Sequence, residues 1–473
     1  MQQQEHSSTG STAGTATGAA VARRAGTTRR AYLGSASVIA GAAGALLLTA
    51  ACGGAGQSSQ SQASKGPVTI DVLTYTGINN PTGRAQWFAK TTPQNFTPQS
   101  QVTVNWIEAD GGLSQKLITL AAGGTPPDAG NFEDFNAQGL VGRGLYKPVD
   151  DLIKRDKFDR NVYWKSALQM LTVNGKLYGL PNHGNFGENV MYVNLNQARK
   201  AGVDVPLATG EWTIDQLVDW ARKTTRPADG EWGFWPPLYN YSVLTVLRLF
   251  GGDLLSQDGK RCTIDSAESR AALQWIYDLQ YKHQVCENLY GAGNGGGRDA
   301  MAGGFKQGKQ TFVNWTTGGA AEWKAPGQQI IKFDLGITLF PKQTSGRRGS
   351  VIITHGAGIT GTPKQDAAWE WVKFITNKEN GVGMVAGNAG SPGARPDVWE
   401  DRRLNERDPI FGLSQKTFKE PAIEYVPWNN TYTDVNNATW PKLADLWQNK
   451  VSVSDVTAGI AREVNAILQK PPT

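Results

Sequence analysis

The feature that most constrains the fold of this chain is an alternation of strand and helix patterns between residues 68 and 132. The stretch VTIDVLTY, residues 68–75, alternates with a period of two, as a half-buried strand does. QVTVNWIEAD, residues 101–110, predicts a second strand. LSQKLITLAA, residues 113–122, predicts a helix closed by two glycines, and a third strand is predicted near Asp128–Phe132. Strands alternating with helices form a parallel sheet with helices on its faces, so the sequence predicts an α/β fold.

Three later segments carry helix-start signals. They are Thr213 with Gln216, which has the pattern of a capping box, Asp265 with Glu268, and a segment that follows Pro363 and is predicted to stop at Gly381. Apolar residues at helical spacing follow each signal, which predicts amphipathic helices packed on a core.

The first 51 residues have the pattern of an export leader. Arg29 and Arg30 precede an apolar run, residues 31–51, that is rich in Ala, Gly and Ser. This run is less apolar than a stable membrane-spanning helix, which favours a cleaved signal peptide. An aromatic residue and a leucine soon follow the arginine pair, which resembles the twin-arginine export motif.

The leader ends in Leu-Thr-Ala-Ala-Cys, which resembles a bacterial lipobox and predicts lipidation of Cys52. Residues 52–66 are rich in Gly, Ser and Gln, which predicts a flexible tether. The expected location is therefore extracytoplasmic, anchored to the outer face of the cytoplasmic membrane. Thr49 stands where the lipobox prefers an aliphatic residue, so a soluble secreted form is one alternative, and an uncleaved anchor helix is another.

Composition narrows the ligand class. Of the 47 Lys and Arg and 41 Asp and Glu, four Arg and one Glu lie in the first 51 residues, which leaves a formal charge of +3 for the remainder. This near-balance argues against a nucleic-acid partner. The four histidines show no metal-ligand spacing, so no metal site is expected.

Two cysteines lie beyond the tether, Cys262 and Cys286. In an oxidising compartment they favour a disulfide. The alternative is a pair of buried free thiols.

Several of the 16 tryptophans lie outside any apolar periodicity. Trp232 and Trp235 occur in DGEWGFWPPLYNY, and Trp315 occurs in FVNWTTGG. An indole in a Gly- or Pro-rich context commonly contacts the apolar face of a ligand while its N–H bonds a polar atom.

Five stretches in order resemble the extracellular solute-binding proteins of carbohydrate-type ABC importers, family 1. They are GGTPPDAGNFEDFNAQGLVGRGLYKPVDDLIK, NGKLYGLPN, MYVNLNQARKAGVDVPLATGEWTIDQLVDWARKTT, GGDLLSQDGKRCTIDSAESRAALQWIYDL and GITLFPKQTSGRRGSVIITHGAGITGTPKQDAAWEWVKFITNKENG. The resemblance covers nearly all of the chain beyond the leader.

The resemblance implies a type II periplasmic-binding-protein-like fold, with two α/β lobes that are each a mixed sheet flanked by helices and are joined by hinge segments. Lobe one is placed at 66–183 and 346–393, and lobe two at 184–345 and 394–473. The implied function is capture of a sugar by lobe closure and its delivery to ABC transporter permease subunits. A monomer that only binds is expected, with no catalytic residue and no cofactor.

The resemblance places ligand contacts in loops after strands and near the lobe crossings. They are Thr76, Gly77 and Asn79 after the first strand, Glu133 and Asp134 after the third, Asn185 and Phe186 at the first crossing, Trp235, Tyr239 and Trp315 in lobe two, His355 and Gly356 in THGAG, and Arg395 in SPGARPDV. Structural alternatives stay open: turn chemistry for residues 76–79, helix capping for Asp134, hinge structure for residues 185–186, core packing for Trp235 and Tyr239, close backbone approach for Gly356, and a tie between lobes for Arg395.

Three rival functions remain. A secreted glycoside hydrolase needs two facing carboxylates, and no recognisable catalytic pattern of Asp and Glu occurs. The same fold can bind a peptide, a polyamine or a metal chelate, which requires clustered charges in the site. A structural surface protein is disfavoured by the hinge-like segments.

Overall fold

The computed structural model builds the chain around two main β-sheets, each covered by helices. The described residues are 66–75, 84–109, 112–182, 189–287, 303–317, 331–351, 353, 355–387, 391–416, 427 and 429–471. All of them lie in the compact unit Ser64–Thr473. No helix within these ranges is long and apolar enough to cross a membrane.

The described strands are, in chain order, β1 (Val68–Thr74), β2 (Val102–Glu108), β3 (Ala129–Glu133), β4 (Thr172–Val173), β5 (Lys176–Leu177), β6 (Leu180–Pro181), β7 (Val190–Asn194), β8 (Trp232–Trp235), β9 (Gln310–Trp315), β10 (Leu335–Leu339) and β11 (His355–Ile359).

The described α-helices are α1 (Arg84–Thr91), α2 (Thr97–Ser100), α3 (Leu113–Ala122), α4 (Asp134–Gly142), α5 (Asp150–Asp156), α6 (Lys165–Met170), α7 (Leu195–Lys200), α8 (Ile214–Thr224), α9 (Asn240–Phe250), α10 (Ala267–Tyr281), α11 (Gln365–Ile375), α12 (Lys378–Ala386), α13 (Pro396–Trp399), α14 (Arg402–Arg407), α15 (Ile410–Lys416), α16 (Tyr432–Trp447) and α17 (Val453–Leu468). A π-helical turn spans Thr92–Phe96, and 3-10 turns span Arg160–Val162 and Pro227–Asp229.

The first sheet has the strand order β2-β1-β3-β11-β6. β1 pairs in parallel with both β2 and β3, which confirms the parallel sheet predicted from the alternating pattern. β11 is antiparallel to β3 and to β6. The sheet is therefore mixed, and it takes a strand from a distant part of the chain.

The second sheet has the order β10-β7-β9-β8. β7 is antiparallel to β9 and β10, and β8 is parallel to β9. A separate two-stranded hairpin, β4 with β5, precedes β6.

Each main sheet has its own apolar core. The first includes Ile70, Val72 and Trp371, and the second includes Val193, Phe234 and Phe312. Val351 and Ile353, which the predicted boundary at residue 346 assigns to lobe one, pack in the second core. A third cluster collects Trp164, Trp235, Trp315, Trp399 and their neighbours.

The capping box predicted at the start of α8 is confirmed. Thr213 Oγ1 accepts a hydrogen bond from the backbone N–H of Gln216 at 3.3 Å, and Gln216 Oε1 accepts one from the backbone N–H of Thr213 at 2.9 Å. These two bonds satisfy N–H groups that the helix itself leaves unpaired.

Two other predicted helix boundaries are wrong. α10 is capped by Ser266, whose Oγ accepts from the N–H of Ser269 at 3.1 Å, and not by Asp265. The helix after Pro363 ends at Ile375, because Asn377 caps a new helix that contains Gly381. In both cases a side chain with good capping geometry lies within a few residues of the predicted boundary.

The predicted disulfide is absent. Cys262 and Cys286 are buried free thiols. Cys262 precedes the 15-residue helix α10 and Cys286 follows it, and such a helix is about 22 Å long. A disulfide needs Cα atoms within about 7 Å, and no such bond joins the two cysteines, which matches the alternative of two buried free thiols.

Candidate functional site

The first sheet presents polar residues where its strands end. β1, β3 and β6 run in the same direction, so their carboxyl ends share one edge of the sheet, and β11 begins at this edge because it runs in the opposite direction. We call this edge one, defined by Thr74, Glu133, Asn182 and His355. His355 is the register partner of Glu133. Ligands of open α/β sheets bind outside the carboxyl ends of strands, which makes edge one a candidate site.

A buried hydrogen-bond network joins the strands at edge one. Asn131 Nδ2 donates to Thr74 Oγ1 at 3.4 Å, and Asn182 Nδ2 donates to Asn131 Oδ1 at 2.9 Å and to the Gly356 carbonyl at 3.3 Å. The backbone N–H of Asn182 donates to the His355 carbonyl at 2.8 Å. Asn182 Oδ1 is buried and has no hydrogen-bond partner among the described residues.

The second sheet has an equivalent edge. β8, β9 and β10 run in the same direction, so their carboxyl ends meet the start of β7. We call this edge two, defined by Asn189, Trp235, Trp315 and Thr317. Trp315 is the register partner of Val190, the residue after Asn189.

Edge two also carries buried polar atoms with no hydrogen-bond partner in the described part of the chain. They are Asn189 Nδ2 and Oδ1, Trp235 Nε1 and Thr317 Oγ1. A buried polar group without a partner costs about 1 to 3 kcal/mol. Such groups in a folded protein call for an explanation, and a bound ligand is one.

The chain connects the two edges directly. Asn182 at edge one and Asn189 at edge two are separated by the six residues 183–188, so their Cα atoms lie at most about 25 Å apart. A second crossing is shorter still, because Ile353 packs in the second core and His355 begins β11 of the first sheet. The first crossing therefore leads from edge one to edge two, and the second joins the second core to edge one.

Several predicted contacts fall at these edges. Glu133 is half-buried at edge one, and His355 is buried, with its ring edge-on to that of Tyr75 at a centroid distance of 5.9 Å. Trp235 and Trp315 end their strands at edge two and are 4% and 5% exposed, so both are also part of the third core cluster. Tyr239 is half-buried just before α9, with its ring edge-on to Tyr241 at 5.2 Å.

Close packing around Gly356 leaves no room for a larger side chain. A Cβ there would lie 2.8 Å from the Phe132 ring and 3.0 Å from Leu171. This matches the close approach that the sequence left open for Gly356.

Arg395 makes structural contacts. Its Nε and Nη2 donate to the Asp397 carboxylate at 3.0 and 2.6 Å, and its guanidinium lies over the Tyr163 ring at 5.2 Å. Burial acts to lower the pKa of Arg395, but the Asp397 carboxylate outweighs it, so the net pKa is raised. Next to Arg395 in the sequence, the Ala394 carbonyl accepts a hydrogen bond from the backbone N–H of Trp164 at 3.1 Å. These contacts, to Asp397 and to Tyr163 of the first core, favour a structural role for Arg395, and the tie between lobes stays a prediction.

Other predicted residues lie outside the described residues: Thr76, Gly77, Asn79, Asn185, Phe186, the lipidation candidate Cys52, and the side chain of Asp134, whose backbone begins α4. Within the described ranges, no three His, Cys, Asp or Glu residues are grouped as metal ligands would be.

The sequence prediction missed Asn182 and Asn189. Both flank the crossing at which residues 185 and 186 were proposed. The signal that pointed to them is the PN pair after a short strand and the EN pair before the next, in GLPNHGNFGENVMYV.

Comparison with known proteins gives a family match. The model described as bacterial extracellular solute-binding protein matches residues 84–382. The chain is 24% identical over 304 residues to the arabinooligosaccharide-binding protein of Bacillus subtilis, covering 62% of this chain and 65% of that protein. It is 28% identical over 180 residues to the arabinooligosaccharide-binding protein of Halalkalibacterium halodurans, covering 36% of this chain and 37% of that protein. The chain thus aligns with less than two thirds of each relative.

Solved structures show the same architecture. Maltose-bound MalE3 of T. maritima superposes with a TM-score of 0.69 at 23% identity, covering 85% of this chain and 100% of that one. The cyclic alpha-maltosyl-1,6-maltose binding protein from Arthrobacter globiformis gives 0.69 at 18% identity, with the same coverage. At these identities the likeness shows the fold alone, and it confirms the predicted two-lobe α/β fold.

Proposed function

This chain belongs to the bacterial extracellular solute-binding protein family, and from that premise we propose that it captures a sugar or oligosaccharide between edge one and edge two. Each main sheet belongs to one lobe, and the lobes close on the ligand about the crossings at 182–189 and 353–355. Closure of this kind needs only a few residues at each crossing to change their backbone angles. The loaded protein then delivers the sugar to the permease subunits of an ABC transporter.

One observation carries the choice of a sugar. The buried polar atoms without described partners at the two edges belong to Asn182, Asn189, Trp235 and Thr317, and all of these groups are uncharged. Amide and hydroxyl groups can both donate and accept, as sugar hydroxyls do. A polyamine would require clustered carboxylates, and an anionic ligand would require arginine or lysine. The uncharged set therefore supports a neutral ligand with many hydroxyls.

The relatives support an oligosaccharide in particular. Two are arabinooligosaccharide-binding proteins, and a third, 21% identical over 272 residues, is the maltotriose-binding protein of Pyrococcus abyssi. We propose that the protein binds its sugar and returns it unchanged. Trp235 and Trp315 place aromatic rings at edge two, where a sugar ring can stack.

The proposed location follows from the sequence before residue 66. The twin arginines direct export, lipidated Cys52 anchors the protein outside the cytoplasmic membrane, and residues 52–66 serve as the tether. The protein acts as a monomer, with the permease as partner. Cys52→Ser is expected to move it from the membrane fraction to the medium or periplasm, and continued membrane association would contradict the lipid anchor.

Thermal unfolding of the protein without its leader tests the function. The panel contains arabino- and malto-oligosaccharides, single sugars, peptides and polyamines. A ligand at 100 times its Kd stabilises the folded state by about 2.7 kcal/mol, which raises Tm by several degrees. A rise in Tm with a neutral sugar supports the proposal. A shift with peptides or polyamines alone contradicts it.

A further inference from the structure

A pocket of about 610 Å³ lies on the second sheet away from both edges. It is bounded by the carboxyl-terminal ends of α8 and α10 and by the start of β8. Trp232 opens β8, whereas Trp235 ends it at edge two, so three residue steps, about 10 Å, separate the pocket side of the strand from edge two. β8 is also the outermost strand of its sheet, next to β9.

Two aromatic residues line this pocket without taking part in a core. Trp232 and Tyr281 are half-buried and belong to none of the three core clusters of the described residues. Tyr281 is fixed, because its OH donates to the Trp447 carbonyl at 2.8 Å and its ring stacks on Tyr277 at 4.5 Å. Half-buried aromatic side chains that line a pocket are typical of a ligand surface.

One residue that lines the pocket, Arg222, is positively charged and has no carboxylate partner in the described ranges. Arg222 lies in the last turn of α8, and its Nη2 donates to Nδ1 of His283. None of the described residues that line the pocket is Asp or Glu. The carboxyl end of α8 compensates the charge of Arg222 only in part, so donors for an anion remain on the guanidinium.

His283 adds a further donor. Burial, and then the neighbouring Arg222, lower the pKa of His283, which favours the neutral imidazole. Since Nδ1 accepts from Arg222, the ring proton is on Nε2. The nearest carboxylate on α10 is that of Asp278, which already has partners outside the pocket. Its Oδ1 accepts a hydrogen bond from Gln274 Nε2 at 2.7 Å, and its Oδ2 lies 3.7 Å from Lys282 Nζ.

We propose that this pocket is a second ligand site, which binds a small carboxylate attached to a ring. The carboxylate pairs with Arg222 and accepts from His283 Nε2, and the ring contacts Trp232 and Tyr281. Charge-assisted hydrogen bonds of this kind are about twice as strong as neutral ones. The site does not depend on the sugar proposed for the two edges.

Ligand-observed NMR and calorimetry on the leaderless protein test this site with two probes, benzoate and D-glucuronate. Their uncharged counterparts, benzyl alcohol and D-glucose, are measured alongside. Binding of either carboxylate, at least about tenfold tighter than its counterpart, supports the site, and the probe that binds tells whether the ring is aromatic or a sugar. Absence of binding by both probes up to about 10 mM overturns it.

A matched pair of variants locates the binding. Arg222→Gln and Lys223→Gln each remove one positive charge from the last turn of α8, and Lys223 is outside the pocket, paired with Asp219 at 2.8 Å. We expect Arg222→Gln to weaken carboxylate binding at least about tenfold and Lys223→Gln less than about twofold. Equal effects of the two variants, or no effect of Arg222→Gln, overturn the assignment.

Competition separates this site from the proposed sugar site. Carboxylate binding is expected to persist while the protein is saturated with the sugar that stabilises it most. If no sugar binds to the protein, carboxylate binding is still expected. Displacement of the carboxylate by that sugar would place it at the edges and overturn the second site.

Discussion

Asn182 Nδ2 donates a hydrogen bond to Asn131 Oδ1 at 2.9 Å, across 51 positions of sequence. This bond uses one side of the Asn182 amide to hold β3 against the end of β6. The other side, Oδ1, has no described partner. The same side chain thus stabilises edge one and, in the proposed function, offers an acceptor to a sugar hydroxyl.

Asn182→Ala is expected to weaken sugar binding at least about tenfold, which corresponds to about 1.4 kcal/mol. It should also lower the free energy of unfolding by about 1 to 3 kcal/mol, since Asn131 loses a buried partner. Calorimetry and urea unfolding measure the two effects. Asn161→Ala is the control, because Asn161 is exposed on a 3-10 turn. Lower stability with unchanged affinity would show that Asn182 is structural only.

Trp235→Phe removes the indole N–H and keeps an aromatic ring. We expect a loss of sugar affinity of about threefold to tenfold, the value of one hydrogen bond. Trp371→Phe is a matched control, because Trp371 Nε1 is also buried without a partner but lies in the first core. If both variants bind alike, the Trp235 N–H contacts no ligand.

Arg395→Lys is expected to lower the free energy of unfolding by about 1.5 to 3 kcal/mol, because lysine cannot make the paired bonds to Asp397 or lie flat on Tyr163. Sugar affinity should change less than about twofold. The control is Arg402→Lys, whose residue is 86% exposed in an i,i+4 pair with Glu406 and should change stability by less than about 0.5 kcal/mol. A large affinity loss at unchanged stability would instead make Arg395 a ligand contact.

Burial raises the pKa of the Cys262 thiol to about 11 and that of the Cys286 thiol to about 12. Because the thiolate is the nucleophile, both groups should stay protonated and resist alkylation at pH 8 in the folded protein. After unfolding in denaturant without reductant, the Cys52→Ser protein should react with two equivalents of thiol reagent per chain. Zero equivalents would show that the disulfide forms after all.

The sequence predicted those elements whose signals are local. In the sequence, β1 and β2 each alternate with a period of two along one strand, and the capping box at Thr213 needs only four residues. Ser266 and Asn377 were missed because several neighbouring residues can cap a helix, and packing selects one of them.

The candidate site was harder to predict because its contacts are distant in sequence. The partners of Asn182 come from β3 and β11, 51 and 174 positions away, and strand pairing at this range has no local signal. Trp235 and Trp315 were placed in loops by their Gly- and Pro-rich neighbours, whereas each ends a strand and is largely buried.

Calorimetric titration of the leaderless protein with arabino- and malto-oligosaccharides tests the central claim most directly, with the sugar recovered afterwards and its length measured. The account predicts saturable binding of a neutral oligosaccharide at one site per chain, with the sugar recovered intact. No binding of any neutral sugar, or recovery of shortened sugar, would contradict it.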